Sequence, residues 1–113
     1  MPIEKLYAHL SCTDLKRSTE WFSRLFGRPP DSNPMKGLVE WHFHKTAGLQ
    51  LFKDAANAGH GTLTLIVEQL TEEHTRLERC NLAPQKIEHG DVVSIFRLRD
   101  PDDNLVVLAQ PGR

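Results

Sequence analysis

The sequence repeats itself once, and this repeat constrains the fold more than any other feature. When the chain is shifted by 55 positions, identical residues coincide, and conservative pairs lie between them. The identical pairs are Leu10 with Leu65, Leu15 with Leu70, Arg24 with Arg79 and Pro29 with Pro84. A repeat of this length indicates a duplicated supersecondary unit. Two copies of one unit form a pseudosymmetric body, so we expect any pocket to lie where the copies meet.

Length and charge narrow the class of protein. A chain of 113 residues predicts a single domain, with module one at about residues 1–55 and module two at about 60–113. The net charge of −1 is spread along the chain and gives no support for a nucleic-acid or membrane surface. No apolar run approaches the roughly 20 residues of a membrane span, and no secretory signal is visible, which favours a cytoplasmic protein.

The two cysteines do not indicate metal or redox chemistry. Cys12 and Cys80 lie in apolar patterns, and neither has a second cysteine three positions away. We therefore expect both to be reduced thiols in the core.

The first module reads as one helix among short strands. Asp14 or Thr13 can cap a helix whose apolar stripe ends at Gly27, before two prolines. Further on, apolar and polar residues alternate with the period of a half-buried strand. The predicted elements are strand 4–11, helix 15–26, a short edge strand 29–33, strand 38–44, turn 45–48 and strand 49–53.

The second module follows the same order. Thr71 is the expected N-cap of its helix, with Leu70 as a hydrophobic staple, and Asn81 suits a left-handed position after the helix. The predicted elements are strand 62–67, helix 72–80, strand 84–89, strand 92–98, a turn at 100–104 and strand 105–109. Because one helix covers one sheet face in each module, the fold class is α+β.

Alternation sorts the strand residues into two faces. One set is expected under the helices: Ala8, Leu10, Cys12, Val39, Trp41, Phe43, Leu49, Leu51, Leu63, Leu65, Val67, Phe96, Leu98, Val106 and Leu108. The other set is expected on the opposite face: Tyr7, His9, Glu40, His42, His44, Gln50, Phe52, Thr62, Thr64, Arg97, Leu105 and Val107. The second set mixes aromatic, imidazole, amide, carboxylate and guanidinium groups, which suits either a binding surface or an ordinary wet face.

Three segments resemble the vicinal oxygen chelate superfamily, which contains glyoxalases, bleomycin resistance proteins and extradiol dioxygenases. They are Ser-Cys-Thr-Asp-Leu-Lys-Arg-Ser at residues 11–18, the aromatic helix ending in Leu-Phe-Gly at 25–27, and Asp-Pro-Asp-Asp-Asn at 100–104. In the last segment Asp103 stands where the family usually has glycine, and aspartate tolerates the positive φ of such a turn. The resemblance covers nearly the whole chain.

The resemblance implies an architecture and a site. It implies two β-α-β-β-β modules that form a U-shaped, incompletely closed mixed barrel with the helices outside and the active cleft inside. It also implies a homodimer. Metal-dependent members bind a divalent ion through His, Glu or Gln on the first and last strands of each module.

The metal ligands of the family do not carry over to this sequence. The matching positions are Tyr7, Gln50, Thr62 and Val107, of which only Gln50 is a ligand of the usual type. Since valine cannot bind a metal and hard divalent ions need several donors, we expect no divalent cofactor of the usual kind.

Other donors leave alternatives open. His9, Glu40, His42 and His44 share a predicted face, and a register slip would bring in His60, so a shifted zinc or iron site competes with exposed strand polars. Arg97 has two interpretations of equal weight: a clamp for an anionic ligand, or a salt bridge to a carboxylate such as Glu40.

Two functions follow as expectations. The first is a metal-independent binder of a small organic molecule, with no nucleic acid or membrane partner. The second is an enzyme of the same superfamily, either a lyase or dioxygenase with a shifted metal site or a metal-free protein in which His9 is the general base. A third alternative is an accessory subunit with a vestigial cleft. The expected ligand-binding residues are Tyr7, His9, Glu40, His42, Gln50, Phe52, Thr62, Thr64, Arg97, Leu105 and Val107.

Overall fold

A computed structural model of the chain describes residues 1–112, which form two α-helices and seven strands. A single 3₁₀ turn, Ala55–Asn57, follows the first module. In chain order the elements are β1 (Leu6–Cys12), α1 (Leu15–Phe26), β2 (Ser32–Met35), β3 (Leu38–His42), β4 (Ala47–Lys53), β5 (Thr62–Ile66), α2 (Leu70–Arg79), β6 (Val93–Arg99) and β7 (Leu105–Pro111).

The strands form two mixed sheets, as the α+β prediction requires. Sheet one has the order β1-β4-β3-β2, and sheet two has the order β5-β7-β6. In each sheet the first strand of the module pairs in parallel with the last, which in turn pairs antiparallel with the strand before it. Strands β1 and β5 are therefore edge strands, and they contact each other. Among residues 1–112, no helix is long and apolar enough to span a membrane.

The prediction for α1 is confirmed at both ends. The carboxylate of Asp14 accepts a hydrogen bond from the Arg17 amide at 3.1 Å, which satisfies one free donor of the first turn. Gly27 ends the helix with φ 73°, a left-handed conformation that costs glycine nothing. The helix buries Trp21, Phe22 and Leu25 against sheet one.

The predicted division of the faces is also confirmed. Trp41, Leu49 and Leu51 have no exposed surface, and they belong to one buried cluster that draws residues from both modules. Ala8 is the exception, because it is exposed although it lies on the helix side of β1.

Helix α2 begins earlier than predicted. Its first residue is Leu70, and Gln69, not Thr71, is the residue before the first turn. The side-chain oxygen of Gln110 on β7 accepts a hydrogen bond from the Leu70 amide at 2.9 Å. A distant glutamine therefore supplies the acceptor that local sequence assigned to a threonine. Asn81 has the predicted positive φ, at 60°.

The predicted strand at residues 84–89 is wrong. Glu88 forms an isolated bridge with Ile95, and the amide of Gln85 donates to the carbonyl of Arg97 at 2.8 Å. These contacts do not continue into a ladder, and Pro84, which has no amide hydrogen, follows a residue of positive φ. Sheet two therefore has three strands, where sheet one has four.

Strand boundaries in module one differ by a few residues. Strand β3 ends at His42, not at residue 44, because the backbone turns at His44 with φ 104°. Strand β4 begins at Ala47, inside the predicted turn. Strand β2 is the edge strand that the prolines indicated, shifted to Ser32–Met35.

The closing turn joins the two modules. One carboxylate oxygen of Asp102 accepts from the Thr13 hydroxyl at 2.6 Å and the other accepts from the Ser18 hydroxyl at 3.3 Å. The buried amide of Asn104 donates to the carbonyl of Ser11 at 3.0 Å. Asp103 has the expected positive φ, at 75°. The motif therefore ties the start of β7 to β1 and α1.

Candidate ligand-binding face

The face of sheet one that no helix covers carries a connected set of polar side chains. The register places Gln50 between His9 on β1 and Glu40 on β3. Glu40 is 8 % exposed, whereas His9 and His42 are open to solvent. We name His9, Gln50, Glu40 and His42 the polar network.

Hydrogen bonds join all four members of the polar network. His9 Nδ1 lies 3.2 Å from Gln50 Oε1, and Gln50 Nε2 donates to Glu40 Oε2 at 2.8 Å. His42 Nε2 lies 3.1 Å from Glu40 Oε1, which also accepts from the Ser32 hydroxyl at 3.4 Å. Ser32 was not foreseen from the sequence, although a carboxylate on a buried strand needs such donors.

The network fixes where its hydrogens lie. An ionised carboxylate only accepts, so the Gln50 amide nitrogen must face Glu40 and its oxygen must face His9. That oxygen can only accept, so His9 Nδ1 carries the hydrogen. In neutral His9 the Nε2 atom then has a free lone pair, and this tautomer can accept a proton at Nε2.

Glu40 is held in its charged form. Donation by Gln50 is the largest of the effects that lower the pKa of Glu40, and His42 and Ser32 lower it further against the opposing effect of burial. The carboxylate is therefore ionised near neutral pH, as the hydrogen positions above require.

Aromatic rings flank the network. The rings of Tyr7 and His42 are 6.2 Å apart at 67°, and those of His9 and Phe52 are 6.1 Å apart. Tyr7 lies so close over Gly48 that a Cβ there would be 2.7 Å from the tyrosine ring. Flat apolar surfaces beside hydrogen-bonding groups suit a small organic ligand.

The predicted residues of module two lie on sheet two. The register places Thr62 beside Leu105, and it places Val107 between Thr64 and Arg97. Val107 and Leu105 are half-buried, while Thr62 and Thr64 are exposed.

The interpretation of Arg97 as a member of an ion pair is confirmed, but its partner is not Glu40. Arg97 forms an ion pair with Glu88 from the segment that runs beside β6. Glu40 is instead hydrogen-bonded to Gln50 and lies beside His42. Tyr7 of module one and Thr64 of module two line one cleft, because β1 and β5 contact each other.

The residues do not fit the divalent metal that the fold family implies. Tyr7, Gln50, Thr62 and Val107 offer one amide oxygen, two hydroxyls and one aliphatic side chain. Across residues 1–112, no three His, Cys, Asp or Glu side chains come together as a metal site would require. The alternative of a shifted site with His44 or His60 therefore lacks three such ligands together in the described residues.

Solved structures share this architecture. A glyoxalase/bleomycin resistance protein from Catenulispora acidiphila superposes with a TM-score of 0.87 at 23 % identity, over 95 % of this chain and 97 % of that one. The chain has the glyoxalase/bleomycin-resistance fold. A lactoylglutathione lyase from Agrobacterium tumefaciens has the same fold, with a TM-score of 0.78 at 20 % identity over 96 % and 94 % of the two chains.

An antibiotic-binding protein from a Streptomyces species is also similar, with a TM-score of 0.78 at 15 % identity over 99 % and 97 % of the two chains. No family model and no curated protein sequence matches the chain. The glyoxalase/bleomycin-resistance fold therefore confirms the resemblance seen in the sequence, while the function depends on the residues of this chain.

Proposed function

We propose that this protein binds a small organic molecule on the helix-free face of sheet one, without a divalent metal. The observation that carries the proposal is the polar network, a set of oriented hydrogen-bonding groups between the rings of Tyr7 and Phe52. A ligand placed over it can accept from or donate to His9 and His42 while its apolar body contacts the rings.

The comparisons support this class of function. One protein of the same fold is named as antibiotic-binding, and two are named as glyoxalase/bleomycin resistance proteins. The poor donor set at the positions of the metal ligands favours binding over metal-dependent chemistry. We further propose that the protein is cytoplasmic.

We also propose a homodimer. Sheet two carries the remaining predicted ligand residues, on strands β5, β6 and β7. A second copy would place its sheet two opposite sheet one, so that Arg97 and the half-buried Leu105 and Val107 complete the site. Sedimentation velocity at micromolar concentration tests this assembly, and a monomer would contradict it.

A thermal-shift screen tests the binding proposal. A library of amphipathic organic compounds is added to chelator-treated protein, and the compounds that raise the melting temperature are retested on Gln50→Ala and Phe52→Ala variants. We expect the stabilisation to be reduced in both variants and retained in Gln85→Ala, an exposed control outside the face. Calorimetric titration with zinc, nickel and manganese is the second arm. Tight stoichiometric metal binding would contradict the proposal.

A specific observation favours one second function, metal-free proton transfer. The network holds His9 with its hydrogen on Nδ1, which leaves Nε2 free to act as a general base. Once a binding compound is known, its proton exchange in deuterated water can be followed by NMR. Loss of exchange in His9→Gln with unchanged affinity supports catalysis, and equal exchange in both proteins argues for binding alone.

A further inference from the structure

An apolar cleft lies where the two modules meet. It has a volume of about 490 Å³ and opens between the edge strands β1 and β5. Pockets for small molecules have volumes of roughly 300 to 1,000 Å³. The apolar part of the wall is formed by Leu6, Ala8, Phe43, Leu49, Leu63 and Leu65.

The walls of this cleft expose apolar side chains that the fold does not cover. Leu6 on β1 is 75 % exposed, and Ile66 on β5 is 67 % exposed. Ala8 is also exposed. Exposed apolar residues that share one cleft indicate a binding surface more strongly than scattered ones do.

Cationic side chains line a second cavity of about 380 Å³ that adjoins the cleft. The two cavities share Tyr7 and Ala47 as lining residues, so one continues into the other. We name Lys5 and Lys45 the cationic rim; His42 and His44 line the same cavity.

The positive charge of the rim is not neutralised by nearby acids. Within residues 1–112, neither Lys5 nor Lys45 forms an ion pair. Glu40 is engaged in the polar network, and Asp31 has an ion pair of its own. Glu4 lies next to Lys5 in sequence but does not pair with it. An anion at the rim would therefore meet two unpaired ammonium groups.

We infer that the cleft and the cationic rim together bind an amphipathic organic anion. Its apolar body lies between β1 and β5, and its carboxylate or sulfonate contacts Lys5 and Lys45. This site shares His42 with the polar network and Tyr7 with the rings that flank it, and it does not depend on the proposed function.

Two fluorescent probes of the same ring system test the inference. The probes are 1-anilinonaphthalene-8-sulfonate, which is anionic, and N-phenyl-1-naphthylamine, which is neutral. We expect the sulfonate to bind one-to-one and more tightly than the neutral probe. Amide chemical shifts should locate both at Gly48 and Leu65, at the two sides of the cleft.

Variants separate the two parts of the site. Lys45→Gln should weaken the sulfonate about two- to fivefold, the range of one exposed charge contact, and leave the neutral probe unchanged. Lys86→Gln removes the same charge elsewhere and is the control. Ala8→Trp should fill the cleft and weaken both probes by about tenfold, whereas Ala56→Trp, at another exposed alanine, should not. Ile66→Ala, which shortens one side chain of the cleft wall, is a milder alternative to Ala8→Trp.

Several outcomes would overturn the inference. If the two probes bind with equal affinity and Lys45→Gln alters neither affinity, the cavity holds no anion site. If neither probe binds, or if the amide chemical shifts change outside the cleft, the cleft is not the binding site. A dimer that Ala8→Trp dissociates would mean that a second copy covers it. Gln50→Ala is the reference variant, and it should leave probe binding intact. A failure of the proposed function on the helix-free face can therefore be told apart from a failure of this inference.

Discussion

Glu40 and Arg97 occupy equivalent positions in the two modules. Glu40 is paired with Gln50 across β3 and β4, and Arg97 is paired with Val107 across β6 and β7, so the residue number rises by 57 in both cases. An acidic group of one module thus corresponds to a basic group of the other. The helix-free faces of the two modules therefore carry different groups, and a ligand or partner meets two different surfaces.

The state of His9 should depend on Glu40. In Glu40→Gln the new amide can donate to Gln50, which allows the Gln50 amide to rotate and present its nitrogen to His9. We expect the neutral imidazole of His9 to shift from the Nδ1–H form toward the Nε2–H form. Long-range ¹H–¹⁵N correlation spectra above pH 8 report the ratio of the two forms. An unchanged ratio would show that the network does not set the position of this hydrogen.

The stability that Glu40 contributes should depend on pH. Its folded-state pKa is lowered, chiefly by donation from Gln50, so its contribution is complete above the pKa of an unfolded glutamate and is lost as pH falls through the lower folded value. At pH 7 we expect Glu40→Gln to lower the free energy of unfolding by about 1.5 to 3 kcal/mol. Urea unfolding at intervals from pH 7 to pH 3 measures the difference from wild type. A difference that stays constant below pH 4 would contradict this account.

Asp102 should stabilise the junction between the modules. Asp102→Ala removes the acceptor for the amide and hydroxyl of Thr13 and for the hydroxyl of Ser18. We expect a loss of about 2 kcal/mol in the free energy of unfolding, because these donors are left without a protein partner. Asp91→Ala, an exposed aspartate, is the matched control for urea unfolding. Equal stability of the two variants would show that the turn does not join the modules.

Gly48 should be required for the position of Tyr7. A Cβ at this residue would lie 2.7 Å from both the Trp41 carbonyl oxygen and the Tyr7 ring. We expect Gly48→Ala to lower the free energy of unfolding by about 1 to 3 kcal/mol, the usual range for overpacking. Combining it with Tyr7→Ala should recover only part of the loss, since the contact with the carbonyl remains. If the double variant is as stable as Tyr7→Ala alone, all of the strain of Gly48→Ala comes from the contact with the tyrosine ring, which would contradict this expectation.

Local sequence predicted the first module well because its signals lie close together. Asp14 and Gly27 mark the ends of α1, and alternation around Trp41 sets the register of β3 against the core. A shift of one residue would have buried His9 and Gln50, so the period-two pattern determines which side chains face solvent.

The remaining features depend on contacts between distant residues. Gln110 fixes the start of α2 from 40 positions away, and Glu88 is the partner of Arg97 although its segment forms no strand. The spacing between the two modules also changes along the repeat. Their first strands and helices are offset by 55 positions, as from Tyr7 to Thr62, but their last strands are offset by 57. No local pattern in a single sequence reports such contacts.

Chemical-shift mapping of one bound compound tests the central claim most directly. The strongest compound from the thermal-shift screen is titrated into ¹⁵N-labelled protein in the presence of a chelator. We predict saturable shifts centred on Tyr7, His9, Gln50 and Phe52, with no need for added metal. Shifts confined to the helices, or binding that appears only when zinc is restored, would contradict the account.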